Sequence, residues 1–202
     1  MLKAAAALVA IVCWAGLAVQ FSATYANQHD VVATIWVLAR FFTILTNLPL
    51  AVTMTAVAIG RKVSRLILGG ITLAILLVGV VYATLLAGLH ELKGPGLVAD
   101  IILHKVSPVL MALWWLLFAP RAKLRWNAPV QWALYPLAYF AYALARGQLD
   151  HHYPYPFMDV GKLGWVQTAI NAGGIAMAFI LAGFALVWID SWRPLGSKGG
   201  SR

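Results

Sequence analysis

Residues 37–52 read VLARFFTILTNLPLAV, and how this stretch is read decides the fold. Its Val, Leu, Ile, Phe and Ala suit a bilayer interior, yet Arg40, Thr43, Thr46 and Asn47 interrupt them. An ionisable side chain deep in lipid costs about 2.5–3.5 kcal/mol on insertion scales, so such groups turn toward one another or toward a wet cavity. Spaced i, i+3, i+7, Arg40, Thr43 and Asn47 are expected on one face of a helix, near its outer end.

The rest of the chain supports the membrane reading. Of its 202 residues 62% are hydrophobic and only 10% charged, with a mean hydropathy of +0.83. A soluble domain is about half apolar and a quarter charged. Apolar runs at 4–24, 38–60, 65–89, 98–119, 128–146 and 164–189 each approach the roughly 20 residues that cross a bilayer as a helix. The expectation is an all-α, polytopic six-helix bundle: a single transmembrane domain over 1–190, then a short basic tail over 191–202. Residues 1–24 have signal-peptide features, but the run from Ala4 to Val19 is long for one, and it reads as a retained first helix.

A formal charge of +9 could suggest a polyanionic partner, but its placement points elsewhere. Arg61, Lys62 and Arg65 lie between spans two and three, and Arg121, Lys123 and Arg125 between four and five. Lys3 opens the chain; Arg193, Lys198 and Arg202 occupy the tail. By the positive-inside rule both termini are cytoplasmic, the charge sets orientation, and no nucleic acid is expected. Asp30, Glu91, Asp100, Asp150, Asp159 and all five histidines fall on the other side. The lone Cys13 excludes an intramolecular disulfide.

Polar residues gather at that outer level. In ADIILHKVSPVL, Asp100, His104 and Ser107 are spaced i, i+4, i+7. In WALYPLAYFAYALARG, Tyr135, Tyr139, Tyr142 and Arg146 form a phenolic stripe ending in a cation. Gly164, Thr168 and Asn171 share a side of the last span. The preceding loop, GQLDHHYPYPFMDVGKLG, is expected to be extended and stiff, carrying Asp150, His151, His152 and Asp159. One polar pocket, roofed by this loop, is the economical arrangement. A neutral Thr hydroxyl needs a base to attack a carbonyl. His104 is the candidate, with Asp100, or Asp150 or Asp159 from the loop, to orient it. Asn47, Tyr139 and Arg40 are candidate oxyanion donors, and apolar walls would suit a fatty acyl chain entering from lipid.

These blocks resemble the androgen-induced protein family. The likeness runs over about residues 35–190, through RFFTILTNL, LHKVSPVL with WWLLFAP, and YPLAYFAYALARG followed by YPYPFMDVGKLG. Characterised animal members are six-helix membrane threonine hydrolases that cleave fatty acid esters of hydroxy fatty acids with one Thr and one His. The resemblance implies Thr43, after Arg40-Phe41-Phe42, as nucleophile and His104 as its base; separately, no cofactor or metal is expected. It also implies a lipid ester substrate; with the charge placement, an integral protein of a bacterial inner membrane is expected, its site facing the periplasm or exterior. Animal members carry a second His shortly before the catalytic one; this chain has Asp100 and an apolar run there, and a short HELKGPGL loop.

Two other classes are weighed against this. A transporter or binding protein would grip a lipid-like carboxylate with Arg40 and Arg146, but the inner halves of the spans offer no polar through-route. A metal or haem site would draw on His104 with His90, His151 or His152, but the paired helical histidines of such sites are missing from the sequence.

Overall fold

A computed structural model describes residues 1–89, 91–120 and 124–192. His90, Arg121, Lys123 and the tail cations Arg193, Lys198 and Arg202 lie outside the described residues. The protein is all-helical, with 84% of it in helix and no strand among the described residues. The helices are α1 (Leu2–Gln28), α2 (Val31–Leu38), α3 (Phe42–Ala58), α4 (Arg65–Val81), α5 (Gly94–Ile101), α6 (Ser107–Phe118), α7 (Ala128–Asp150) and α8 (Val160–Trp192). A π-helical turn over Tyr82–Leu86 continues α4, and a second over Ile102–Val106 joins α5 to α6.

Among the described residues, four segments are long and apolar enough to cross a membrane: Leu2–Gln28, Arg65–Leu86, Gly94–Phe118 and Val160–Trp192. The α2–α3 pair, bent by 99°, makes a fifth if it is one span. Large apolar side chains such as Val166 (76% exposed) and Leu181 (61%) stand on the outside of α8, compatible with a membrane protein. The helix α7 has 23 residues, but Gln131, Arg146 and Gln148 interrupt its apolar character, and it does not join that set.

The segment expected as one continuous helix over 38–60 is broken. Asp30 starts α2 as an N-cap, its Oδ1 accepting the Ala33 N–H at 2.7 Å. The chain then turns at 39–41, and Phe41, extended at φ −94°, ψ 127°, is the N-cap of α3. Arg40 therefore lies in the bend. It does not share a helix face with Thr43, because the helical register between them is broken.

The chain divides into two compact units: 1–63 with 74–117, and 64–73 with 118–202. In the first, α1 packs on α3 and α5. Gly16 of α1 lies so close to the π turn at 102–106 that a Cβ there would come within 2.6 Å of Ile102 Cγ2 and 2.8 Å of Leu103 Cδ2. Gly79 of α4 lies against Pro108: a Cβ on it would come within 3.0 Å of Pro108 Cβ and 3.5 Å of the His104 carbonyl oxygen. Small residues on two helices thus press on the turn that carries His104, the usual way for membrane helices to gain contact.

In the second unit, Trp132 of α7 packs over Gly69 and Gly70 and donates its indole N–H to the Leu66 carbonyl at 2.8 Å. Asp190 of α8 accepts from the Arg65 guanidinium at 2.5 Å and from the Leu124 N–H at 3.1 Å. The loop after α7 is shorter than the extended stretch expected over 147–164: α7 runs on to Asp150 and α8 starts at Val160, leaving 151–159 with one 3₁₀ turn over Pro156–Met158. It is held by Tyr153 over Gly147 and by the Asn171 amide, which donates to the Phe157 carbonyl at 2.9 Å. Gly164, at φ 75°, kinks the start of α8, a conformation that favours glycine.

Candidate active site

A threonine in a helix ordinarily gives its hydroxyl to the carbonyl four residues back. Thr34, Thr55, Thr72, Thr84 and Thr168 all do so, at 2.7–2.9 Å. Thr43 does not. It sits in the first turn of α3, so the residue four back, Ala39, is on the far side of the bend. Its hydroxyl lies 3.0 Å from His104 Nε2 instead, and the residue is only 6% exposed.

The other ring nitrogen settles the tautomer. His104 Nδ1 faces two acceptors, Asp100 Oδ1 at 3.0 Å and the Asp100 carbonyl oxygen at 3.2 Å. Nδ1 satisfies them only as N–H, so in the neutral ring Nε2 carries the lone pair, and the Thr43 hydroxyl is the donor. Hydroxyl, imidazole and carboxylate stand in a row, the order found in a Ser–His–Asp triad. Asp100 is the member that the sequence left open between three carboxylates. Asp150 instead pairs with Arg146 across 3.5 Å and accepts the His152 N–H, and Asp159 caps the start of α8 beside Lys162.

The π turn that carries His104 has an identifiable cause and an identifiable support. Within it the Ser107 N–H bonds the Ile102 carbonyl, five residues back. The next donor in that ladder would belong to residue 108, which is proline and has none. The Leu103 carbonyl is thereby left for another donor, and Asn47 supplies it from α3 at 3.2 Å. The same amide nitrogen donates to the Thr43 carbonyl at 2.9 Å. Asn47 is fully buried, so its donors are committed to two backbone carbonyls and it is not an oxyanion donor. It couples the helix of Thr43 to the turn of His104.

Ser107 is also buried, and its oxygen accepts from Cys13 Sγ at 3.6 Å, away from the Thr43 hydroxyl. Tyr139, Arg146, Asp150, His151 and Asp159 belong to the second unit. There Tyr139 lies 6.4 Å from the Tyr142 ring, and buried Arg146 donates to the Tyr142 hydroxyl at 3.0 Å. His151 is the left-handed C-cap of α7. Among the described residues no three His, Cys, Asp or Glu side chains converge as metal ligands.

Sequence reasoning missed Tyr82. Its hydroxyl donates to Asp100 Oδ2 at 2.5 Å, and its ring stacks on His104 with centroids 4.4 Å apart and planes 20° from parallel. Tyrosine near the end of an apolar span reads as an interfacial anchor, and only its contacts with Asp100 and His104 reveal another role. Tyr82 and His104 also border an open groove of about 580 Å³, walled by Leu76, Val80, Pro108 and Leu113 and almost wholly apolar. Thr43 is not on its wall; the imidazole is the element common to both.

Compared with known proteins, the chain matches no family model, no curated protein and no solved structure.

Proposed function

We propose that this chain is an integral membrane lipid-ester hydrolase of the threonine type, as its resemblance to the androgen-induced protein family implies. The observation that carries the proposal is the row of contacts Thr43 Oγ1 to His104 Nε2 and His104 Nδ1 to Asp100 Oδ1, each 3.0 Å. Thr43 Oγ1 bonds to the ester carbonyl carbon as its proton passes to Nε2. Collapse of the tetrahedral adduct expels an alkoxide that takes this proton back, leaving an acyl-threonine and an alcohol. Water, deprotonated by the same imidazole, then releases the acid and restores the hydroxyl.

Asp100 holds the imidazole in the tautomer that accepts, and stabilises the imidazolium that forms. The positive end of the α3 dipole, at whose first turn Thr43 stands, would stabilise an oxyanion there. The apolar groove beside His104 would take an alkyl chain from the surrounding lipid.

The topology proposed with it has six spans and both termini cytoplasmic in a bacterial inner membrane, with the site toward the periplasm. The helix α7 supports the sixth span by length: at 1.5 Å per residue its 23 residues reach about 35 Å, enough for a core of about 30 Å. A non-catalytic carboxylate binder has less support, since Arg146 is already engaged by Asp150 and Tyr142.

The test is labelling of the detergent-solubilised protein by a fluorophosphonate probe. Thr43→Ala and His104→Ala are each expected to abolish labelling while helicity and elution volume stay unchanged. Labelling that persists in both variants excludes the assignment.

A further inference from the structure

Tyr82 is placed by the same contact that places His104. Gly79 lets α4 close on Pro108, and Tyr82 follows three residues later on that face. The chain then enters its π turn, in which the Ala87 N–H reaches back to the Tyr82 carbonyl at 2.8 Å. The side chain makes three separate interactions there. Its hydroxyl donates to Asp100 Oδ2, its ring covers a face of the imidazole, and the Lys105 ammonium lies 5.6 Å from its centroid, within cation–π reach.

We propose that Tyr82 is a positioning residue for the Thr43–His104–Asp100 row, acting through the carboxylate. With Oδ2 held by the phenol, Asp100 has only Oδ1 to present to His104 Nδ1, so carboxylate and imidazole share a single relative orientation. The stacked ring also hinders the imidazole from rotating out of line with Thr43. Charge-assisted bonds of this kind are the strong ones. For its kinetic consequence the inference rests on the hydrolase reading; the geometric consequence stands by itself.

The phenol also dictates what an amide at position 100 would do. In Asp100→Asn the phenolic O–H selects the amide oxygen, which turns the NH₂ toward Nδ1. The amide then favours the imidazole proton on Nε2, opposing the Thr43 hydroxyl, with only the Asp100 backbone carbonyl at 3.2 Å left to hold it on Nδ1. Removing the phenol frees the amide to turn around and restore the working tautomer.

A four-member cycle tests this: wild type, Tyr82→Phe, Asp100→Asn and the double variant, each assayed for fluorophosphonate labelling rate. Tyr82→Phe is expected to slow labelling about 10- to 100-fold, the worth of one hydrogen bond to a charged group. Asp100→Asn is expected to lose about 10⁴-fold. The double variant should label faster than Asp100→Asn alone. Losses that simply multiply would overturn the proposal, since a residue serving only the local packing predicts them.

A second measurement needs no activity: proton NMR of protein labelled with ¹⁵N-histidine, the His104 Nδ1–H resonance being assigned by its loss in His104→Ala. It is expected downfield in the wild type and displaced in Tyr82→Phe. An unmoved resonance overturns the proposal. Wild type that never labels, yet shows the displacement, would defeat the hydrolase reading and leave the positioning role standing.

Discussion

Asn47→Leu separates two accounts of one side chain. As an oxyanion donor, which is how its place in the sequence reads, Asn47 would be dispensable for folding. Its loss would slow the chemistry by about 10²–10³-fold. The structure commits both amide protons to carbonyl oxygens, at 2.9 Å to Thr43 and 3.2 Å to Leu103. The Thr43 carbonyl keeps its helical donor when the amide goes, so that loss costs about 0.5–1.5 kcal/mol. The Leu103 carbonyl has no ladder donor, because residue 108 is proline, and leaving it buried and unsatisfied costs about 1–3 kcal/mol. Against these, Asn47 Oδ1 is buried without a hydrogen-bond partner among the described residues, and its removal returns about 1 kcal/mol. The balance is a destabilisation of about 0.5–3.5 kcal/mol.

Activity should fall as well, since a misplacement of about 1 Å costs on the order of 10²-fold. Unfolding by a titrated denaturing detergent, followed by far-ultraviolet circular dichroism, gives the stability; the labelling rate gives the chemistry. A variant as stable as wild type but 10²–10³-fold slower would refute the tethering role and return Asn47 to the oxyanion hole.

The remaining predictions concern packing. Gly79→Ala puts a Cβ 3.0 Å from Pro108 Cβ, so α4 must withdraw; a loss of about 1–3 kcal/mol is expected in the same detergent titration, with slower labelling. In the other unit, Asp190→Ala strands the Arg65 guanidinium and the Leu124 N–H together. It should cost about 3–5 kcal/mol and lower the thermal midpoint, whereas an unchanged midpoint would mean that this ion pair contributes nothing.

Much of the site could be read from the chain alone because helical periodicity is a local property. Asp100 and His104 are one turn apart, so their pairing needs only a helix, and the π turn does not break it. Long apolar runs likewise declare spans whatever they pack against. Arg40 was misjudged because the bend at 39–41 contains neither glycine nor proline, the residues that announce a break. Asn47 was misjudged because its partner carbonyl is orphaned by a proline some sixty residues away.

Composition, charge placement and periodicity by themselves determined that this chain is helical and apolar enough for a membrane; the pairing of one hydroxyl with one imidazole entered as what the family resemblance implies. Tertiary structure alone decided that Thr43 gives its hydroxyl to His104 rather than to its own backbone, that Asp100 rather than Asp150 or Asp159 faces the imidazole, and that Tyr82 belongs beside them. The physical reason is range. A helix repeats every 3.6 residues and can be read from its neighbours, whereas a 3.0 Å contact between residues 61 apart exists only once the helices between them have packed.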